Sequence, residues 1–382
     1  MIKKIVKIFA GILLAVIILL IAYIAYLYLS YHRIPDNQTL TVETPAASGN
    51  DNNNDSSKEN KNNNDSTSNM DDTSELKTNQ EYSAVTYNLG FGAYTPDFSF
   101  FMDGGKSSWA KSKESVLETI QGAGDLAKSL APAFGLFQEV DLNSTRSYHV
   151  NEYQLLKDTF SDYTSVFAQN YDSAFLFYPF YQPHGKSQSG LALFSKYPIT
   201  DSVRRSLPIA TSFQKFLDLD RCYSISRIPV ENGKEFVVFE LHASAYGNSD
   251  KIREEQISML CSDMQKEYEN GNYVLCGGDF NHDLKASEDS SDTCESWAYP
   301  FPRSALPEHF SFGIDTLSET EIDEMWNSSR NADTEYIPEK TYTVTLDGFI
   351  LSDNLECTFY ENINTGYSYS DHDPVYLKFK LK

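Results

Sequence analysis

Two short motifs set carboxylates where a phosphoester could be attacked. Gly-Gly-Asp-Phe-Asn fills residues 277–281 and Ser-Asp-His-Asp-Pro residues 370–374. Each puts an acid beside a second polar group at the end of an apolar run. The same setting recurs at Asn88, Glu139, His242 and Asp347. A carboxylate in such a place is costly unless a charged partner receives it. Hard oxygen donors of this kind suit Mg²⁺ or Mn²⁺ rather than zinc. A cation held there neutralises a phosphoryl oxygen and polarises the phosphorus. An aspartate can orient or deprotonate the attacking water, and an imidazole can stabilise the developing charge. Taken singly, an Asp or Glu after a strand is more often a turn former or a solvated charge, and a lone His is more often structural. Recurrence at successive strand ends points to one pocket.

The elements that must carry these residues are short. Residues 83–88 alternate as a strand and break at Gly90 and Gly92. Residues 134–140, 191–194, 273–276, 346–351 and 375–379 read as further strands. Residues 222–230 and 235–241 read as a strand pair joined by Asn232-Gly233, a strong hairpin signal. Residues 112–130 fit a helix with Val116, Ile120 and Leu126 inward, stopped by Ala131-Pro132. Residues 252–268 fit another, with Ile257, Leu260 and Met264 inward. The steady βαβ rhythm of a doubly wound sheet is missing. Two mainly antiparallel sheets packed together with helices outside are expected, with the polar motifs gathered at strand ends.

The first eighty residues differ. Residues 8–29 are almost wholly apolar and uncharged, and at ~1.5 Å per residue they reach ~33 Å, enough to cross a bilayer core. Lys3, Lys4 and Lys7 precede this run, so the positive-inside rule keeps residues 1–7 in the cytoplasm and exports the rest. Tyr23, Tyr26, Tyr28 and Tyr31 suit the outer interface. The run is too long for a cleaved signal, and Ala46-Ala47-Ser48 lies well beyond it. A single-pass anchor in the cell membrane is expected, followed by a disordered Asn/Asp/Ser-rich linker over 30–80 that could span ~35–40 Å. Residues 81–382 then form the catalytic domain.

The chain has 382 residues and a formal charge of −23, with 41% hydrophobic and 14% aromatic residues. That charge gives no broad basic footprint for nucleic acid. The cysteines Cys222, Cys261, Cys276, Cys294 and Cys357 show no C-x-x-C spacing, which argues for buried thiols rather than a zinc cluster.

Taken in order, Thr86-Tyr87-Asn88, Phe137-Gln138-Glu139-Val140, the run from Gly190 through Ser195-Lys196-Tyr197-Pro198-Ile199, Leu241-His242-Ala243, Gly278-Asp279-Phe280-Asn281, Leu346-Asp347-Gly348 and Ser370-Asp371-His372 resemble the endonuclease/exonuclease/phosphatase superfamily. The resemblance covers residues 83–382. It implies a four-layered α/β sandwich and a divalent-metal site. Glu139 would be the principal ligand, completed by Asn88 and Asp371. Asp279 would activate water and Asn281 would hold the phosphate. His372, oriented by Asp347, would stabilise the transition state, and His242 matches a second histidine of the deoxyribonuclease and sphingomyelinase branches. Arg227 is a candidate phosphate contact. Gly348 departs from the larger or basic residue common there. Aromatic clusters at 91–109, 175–181 and 283–343 would surround the mouth, where they could touch lipid, stack on bases or pack on the scaffold.

The expected activity is hydrolysis of a phosphodiester or phosphomonoester by a monomer outside the membrane. The substrate could be a lipid headgroup, a nucleotide or nucleic acid. The alternatives are an endonuclease on extracellular DNA and a non-catalytic binding module of the same fold. The anchor, the negative charge and the aromatic loops favour a lipid or small phosphoester over DNA.

Overall fold

The apolar runs become strands of two stacked sheets. The computed structural model describes residues 2–45, 74–216, 218–244, 250–287 and 298–382. The chain begins with α1 (Ile2–Ser30) and β1 (Gln38–Thr39), then β2 (Glu81–Asn88), α2 (Lys113–Ser129) and β3 (Phe134–Asp141). Next come α3 (Glu152–Thr159), β4 (Thr164–Asp172), β5 (Gln188–Ser195), β6 (Asp201–Ser206), β7 (Cys222–Pro229) and β8 (Glu235–His242). Then follow α4 (Asp250–Glu269), β9 (Tyr273–Asp279), β10 (Phe310–Phe312), α5 (Glu319–Glu324), β11 (Ser329–Arg330) and β12 (Thr343–Val344). Strands β13 (Asp347–Ser352), β14 (Leu355–Asn362) and β15 (Val375–Leu381) close the chain.

One sheet has the order β14-β15-β2-β3-β5-β4, the other β1-β6-β7-β8-β9-β13-β10, and β11 and β12 form a small pair. Each large sheet is antiparallel except at one pair, β2 with β3 and β8 with β9. Between the sheets lie Leu136, Leu193, Phe239, Leu275 and Phe379, all fully buried. Val116, Ile120 and Ala123 of α2 and Leu156 of α3 cover the outer face of the six-stranded sheet against Val85, Tyr87, Phe137 and Phe194. Ile257, Leu260 and Met264 of α4 are buried in the core that includes β9. The result is the expected four layers. Each of those apolar side chains contributes roughly 1.5–3 kcal/mol through burial. Ser112 caps α2 by accepting from the Ser115 N–H at 3.1 Å, and Leu126 is only half-buried.

Besides the two- and three-residue strands β1, β10, β11 and β12, three longer strands escaped the sequence reading. β6 is an edge-side strand with Arg204 and Arg205, β14 alternates with an exposed polar face, and β4 mixes polar and apolar residues. Their apolar content is too thin to mark them.

The expected linker needs correction at both ends. Residues 31–45 lie on the catalytic domain. Gln38 and Thr39 pair with Arg204 and Val203, and Glu43 and Ser165 exchange both backbone hydrogen bonds at 2.8 Å. Arg33 Nε is 3.1 Å from Asp220 Oδ1. Arg204, fully buried, donates to the carbonyls of Gln169, Asp220 and Pro35 at 2.7, 2.7 and 3.2 Å. At the other end Leu76 is buried and its N–H donates to Pro229 O at 2.9 Å. The central part of the expected linker, 46–73, lies outside the described residues, as does the Ala46-Ala47-Ser48 stretch.

Helix α1 runs longer than the sequence suggested. Its most apolar stretch has mean hydropathy 3.0 with none of it buried, so by length and composition it could cross a membrane. Leu27 is its buried residue. Cys222, Cys261 and Cys276 are buried free thiols and Cys357 is a half-buried one, while Cys294 lies outside the described residues.

Candidate active site

Strand register builds the floor of the site. In the seven-stranded sheet His242 pairs with Asp279, and Asp279 pairs with Asp347, so β8, β9 and β13 deliver three polar residues in one row. The close β8–β9 approach depends on Gly278, with φ +145°. A Cβ there would sit 2.0 Å from Leu241 O. In the six-stranded sheet β2 ends at Asn88, paired with Gln138, and a bulge between Phe137 and Val140 turns Glu139 off the ladder. Glu139 has φ +55° and Asn281 φ +50°. Backbone of this kind costs about 1–3 kcal/mol per residue and persists only where its surroundings hold it.

The groups hold one another. Asn88 Nδ2 donates to Asp279 Oδ2 at 3.0 Å and to Glu139 Oε1 at 3.5 Å, while its Oδ1 accepts from the Gly90 N–H at 3.0 Å. Asp279 Oδ1 accepts the Asn281 N–H at 2.8 Å, and Asn281 Nδ2 donates to Ala243 O at 3.0 Å. His242 Nε2 lies 3.7 Å from Asp279 Oδ2 and 3.9 Å from Glu139 Oε1. His372 Nδ1 hydrogen-bonds Asp347 Oδ2 at 2.7 Å, and its Nε2 stands 3.9 Å from Asp279 Oδ2. Ser328 Oγ also donates to Asp347 Oδ2 at 2.7 Å.

Charge follows from this packing. Burial, reinforced by Asp347, lifts the Asp279 carboxyl to about 7 against the pull of His372. Burial lifts Asp371 to about 6, with His372 and Arg330 opposing. For His372 burial disfavours the charged ring, but Asp347, its hydrogen bond and Asp279 outweigh that and hold it well above the usual histidine range. His242 goes the other way: burial first, then Arg221 and His372, push it well below.

Two clusters could hold a cation. Asp279, Asp347 and His372 bring ligand-type atoms within 4.8 Å of one another. In that cluster the imidazole is hydrogen-bonded to Asp347 and favoured as a cation, which suits a proton-bearing pair better than a metal. Glu139, Asn88 and Asp371 form an oxygen-bearing corner, in which Asp371 is raised mainly by burial and to a smaller extent by Glu139. This corner fits a hard divalent cation. Asn88 would serve it through Oδ1, with its amide turned from the orientation that now favours Gly90.

These residues line one open cleft of about 690 Å³, except that Asn88 and Asp347 lie just beneath its surface. Arg227 is not among them. It sits four residues along β7 from Tyr223, about 13 Å from the site end of the sheet. There its guanidinium is engaged by Glu267 and Glu235 at 2.5 and 2.8 Å. The arginines at the cleft are Arg146, Arg221 and Arg330, which the sequence reading missed. Arg146 is held by Asp141 at 2.9 and 3.2 Å and lies 3.9 Å above the Phe91 ring. Arg221 donates to Ala243 O at 2.9 Å, and Arg330 to the carbonyls of Tyr94, Thr95 and Asn331; the buried Nε of each has no hydrogen-bond partner among the described residues. Nothing local in the sequence marks these three among the chain's arginines.

The aromatic clusters divide. Phe91, Phe98 and Phe100 are buried scaffold, as are Phe301 and Phe310, and Trp326 Nε1 donates to Asp373 at 2.8 Å. Tyr178, Phe180 and Tyr181 are exposed. Trp297 lies outside the described residues.

A sequence profile described as Endonuclease/Exonuclease/phosphatase family matches residues 85–330. No curated protein matches the sequence. Among solved structures, the chain is similar to an endonuclease/exonuclease/phosphatase from Beutenbergia cavernae DSM 12333, at TM-score 0.56 and 13% identity over 79% of this chain and 72% of that one. It is also similar to D. rerio TDP2 complexed with single-strand DNA product, at TM-score 0.52 and 14% identity over 79% of this chain and 100% of that one. A third, from Bacteroides vulgatus, aligns at TM-score 0.51 and 14% identity over 79% and 100%. At these identities the likeness is one of fold, and with the profile match it establishes that the chain belongs to the endonuclease/exonuclease/phosphatase family.

Proposed function

We propose that this protein is a divalent-metal-dependent phosphoesterase, using Mg²⁺ or Mn²⁺, held at a membrane by α1 with its catalytic domain on the outer side. The observation that carries the reading is the row His242–Asp279–Asp347, with His372 hydrogen-bonded to Asp347 beside the Glu139–Asn88–Asp371 corner. Family membership supports hydrolysis of a phosphoester bond.

Glu139, Asn88 and Asp371 would hold the cation. When bound, it supplies charge neutralisation at a phosphoryl oxygen. Asp279, fixed by the Asn281 N–H and by Asn88, orients the attacking water and takes its proton. The water oxygen bonds to phosphorus as the bond to the leaving oxygen breaks, and the departing alkoxide takes up a proton, so ester and water give alcohol and phosphate. His372, held by Asp347, presents Nε2–H to the negative charge developing on the phosphoryl oxygens. Asn281 and the arginines Arg221 and Arg330 line the cleft and would receive phosphate oxygens there. Placement at a membrane rests on the apolar α1 and the lysines Lys3, Lys4 and Lys7 at its start.

The test is turnover by the full chain in detergent. With Mg²⁺ it should cleave bis-p-nitrophenyl phosphate and lose that activity in EDTA. Metal-replete protein inert toward this ester and toward lipid, inositol, nucleotide and DNA substrates would overturn the reading.

A further inference from the structure

We infer that the exposed aromatic rim of the cleft rests on the bilayer beside α1, so that the site faces the headgroup layer and its substrate is a phosphoester of a membrane lipid. This rests on the phosphoesterase reading and on α1 as a membrane span. The argument starts from depth. A hydrocarbon core of ~30 Å takes about 20 helical residues, so counted from Ile8 it ends near Leu27. The catalytic domain does not begin above that level. Tyr23 OH donates to Phe175 O at 3.2 Å, and the Phe175 N–H donates to Tyr26 OH at 2.9 Å. The Tyr23 and Phe177 rings meet edge-on at 5.2 Å, and Phe216 packs on Tyr28 and Tyr31 at 4.6 and 5.1 Å. The loops carrying Phe175, Phe177 and Phe216 therefore reach alongside the helix to the outer boundary of the core, the level where aromatic side chains settle in membranes.

The same surface continues to the catalytic cleft. A small cavity at the end of α1, lined by Leu27, Tyr31 and Phe216, shares Tyr171 and Asp218 with the cleft. Phe101 bridges Tyr178 and His184 by ring contacts at 5.8 and 5.7 Å, and His184 lines the cleft. Between this bridge and α1 the surface is apolar and open: Tyr178 is 65% exposed and Phe180 84%, and Phe177 and Phe213, which pack on Tyr23 and Phe216, 49% each. An aromatic patch of this kind in water is unfavourable unless something covers it. Lys215, 5.0 Å from the Tyr31 ring and 5.1 Å from the Phe216 ring, puts an ammonium at the same level, where lipid phosphates lie. The helix fixes which surface covers the patch, because a domain docked on Tyr23 and Tyr26 turns these loops toward the membrane that α1 crosses.

The experiment uses the full chain in vesicles of phosphatidylcholine, phosphatidylglycerol and sphingomyelin with Mg²⁺. First, Phe180→Trp is placed in vesicles whose acyl chains are brominated. Emission from that position should be quenched at least twofold relative to unbrominated vesicles, after subtraction of the parent protein; no quenching would overturn the docking. Second, the triple variant Phe177→Ser, Phe180→Ser, Phe213→Ser is compared with the parent. Bis-p-nitrophenyl phosphate turnover should stay within twofold while release of phosphate-bearing headgroup from the vesicles falls at least tenfold. Equal loss on both substrates would mean a structural effect, and equal retention would mean that the rim serves no lipid; each contradicts the inference. Soluble ester turned over by a parent that releases no headgroup would overturn the lipid substrate alone. If the parent turns over neither, the phosphoesterase reading fails, while the quenching result still decides the docking.

Discussion

The floor of the cleft and its rim are built on opposite terms. On the floor, His242, Asp279 and Asp347 are set by strand register and buried, and Asp279 and Asp347 are held by hydrogen bonds from Asn88, Asn281, Ser328 and His372. On the rim, Tyr178 and Phe180 stand in solvent on a loop that touches Phe101 and α1 and is tied to residues 106–109 by hydrogen bonds. Buried polar groups that satisfy each other specify one geometry and tolerate little change. Exposed apolar groups specify no chemistry, and their energy is realised only against an external surface. On the proposed reading the contrast separates two questions: the floor would decide the reaction, and the rim would decide where it is carried out.

The largest expected effect is on the floor. His372→Ala should lower turnover of a soluble phosphodiester by roughly 10²–10⁴-fold, the range for loss of a charge-stabilising or proton-bearing group. Steady-state kinetics check this at a temperature where a thermal melt shows both proteins folded, because the melting temperature should fall as well when Asp347 loses its buried partner. A comparable loss in Phe180→Ser would erase the distinction between the regions, since that exposed change should leave stability within about 0.5 kcal/mol.

Next is the tie that holds the N-terminal segment, which follows α1, to the domain. Arg204 is fully buried and donates to carbonyls of the N-terminal segment, β4 and the loop before β7. Arg204→Met leaves those acceptors without donors, at roughly 1–3 kcal/mol for each that water cannot reach. Urea unfolding should show the loss, and limited proteolysis should cut residues 31–45 faster. Unchanged cleavage would mean that the segment is held by β1 pairing alone.

The smallest effect concerns a buried acid behind the floor. Glu240 accepts from Gln138 Nε2 at 3.4 Å, and its Oε2 has no hydrogen-bond partner among the described residues. Burial raises its pKa well above the ordinary glutamate value of 4.5, against the lowering by Gln138 and by backbone donors. The fold then binds a proton that the unfolded chain releases above 4.5. This contribution to stability is therefore full below that value and is lost as pH rises toward the folded pKa, by about 1.4 kcal/mol per pH unit. Glu240→Gln should flatten the fall in melting temperature between pH 5 and 8. An unchanged slope would place the linkage elsewhere.

Much of the floor was readable before any coordinates. A strand end is a local event: Asp279 after Tyr-Val-Leu-Cys-Gly-Gly, or His242 after Phe-Val-Val-Phe-Glu-Leu, announces itself by an apolar run that stops at a polar residue. The α2 and α4 stripes were equally local. The arginines were not. Arg227 looked eligible because it sits on a predicted strand, yet register carries it away from the site to Glu235 and Glu267. Arg221 and Arg330 reach the cleft from loop-side positions that only the assembled sheets define. Ser328, which donates to Asp347, comes from a loop and has no apolar run to mark it. The docking of residues 31–45 was hidden for a related reason. The Asn/Asp/Ser composition further along the linker dominates the reading, whereas the contacts that order its start are made by Arg204 and Asp220, far away in sequence.

The central claim is that Glu139, Asn88 and Asp371 form the cation site and that Asp279, Asp347 and His372 work beside it. Calorimetric titration of the full chain with Mg²⁺ tests this most directly, in the parent, in Glu139→Gln and in Arg227→Ala. The parent should show one saturable binding event, Glu139→Gln should weaken it at least tenfold, and Arg227→Ala should leave it unchanged. Equal binding by the parent and Glu139→Gln, or no binding by the parent, would contradict the account.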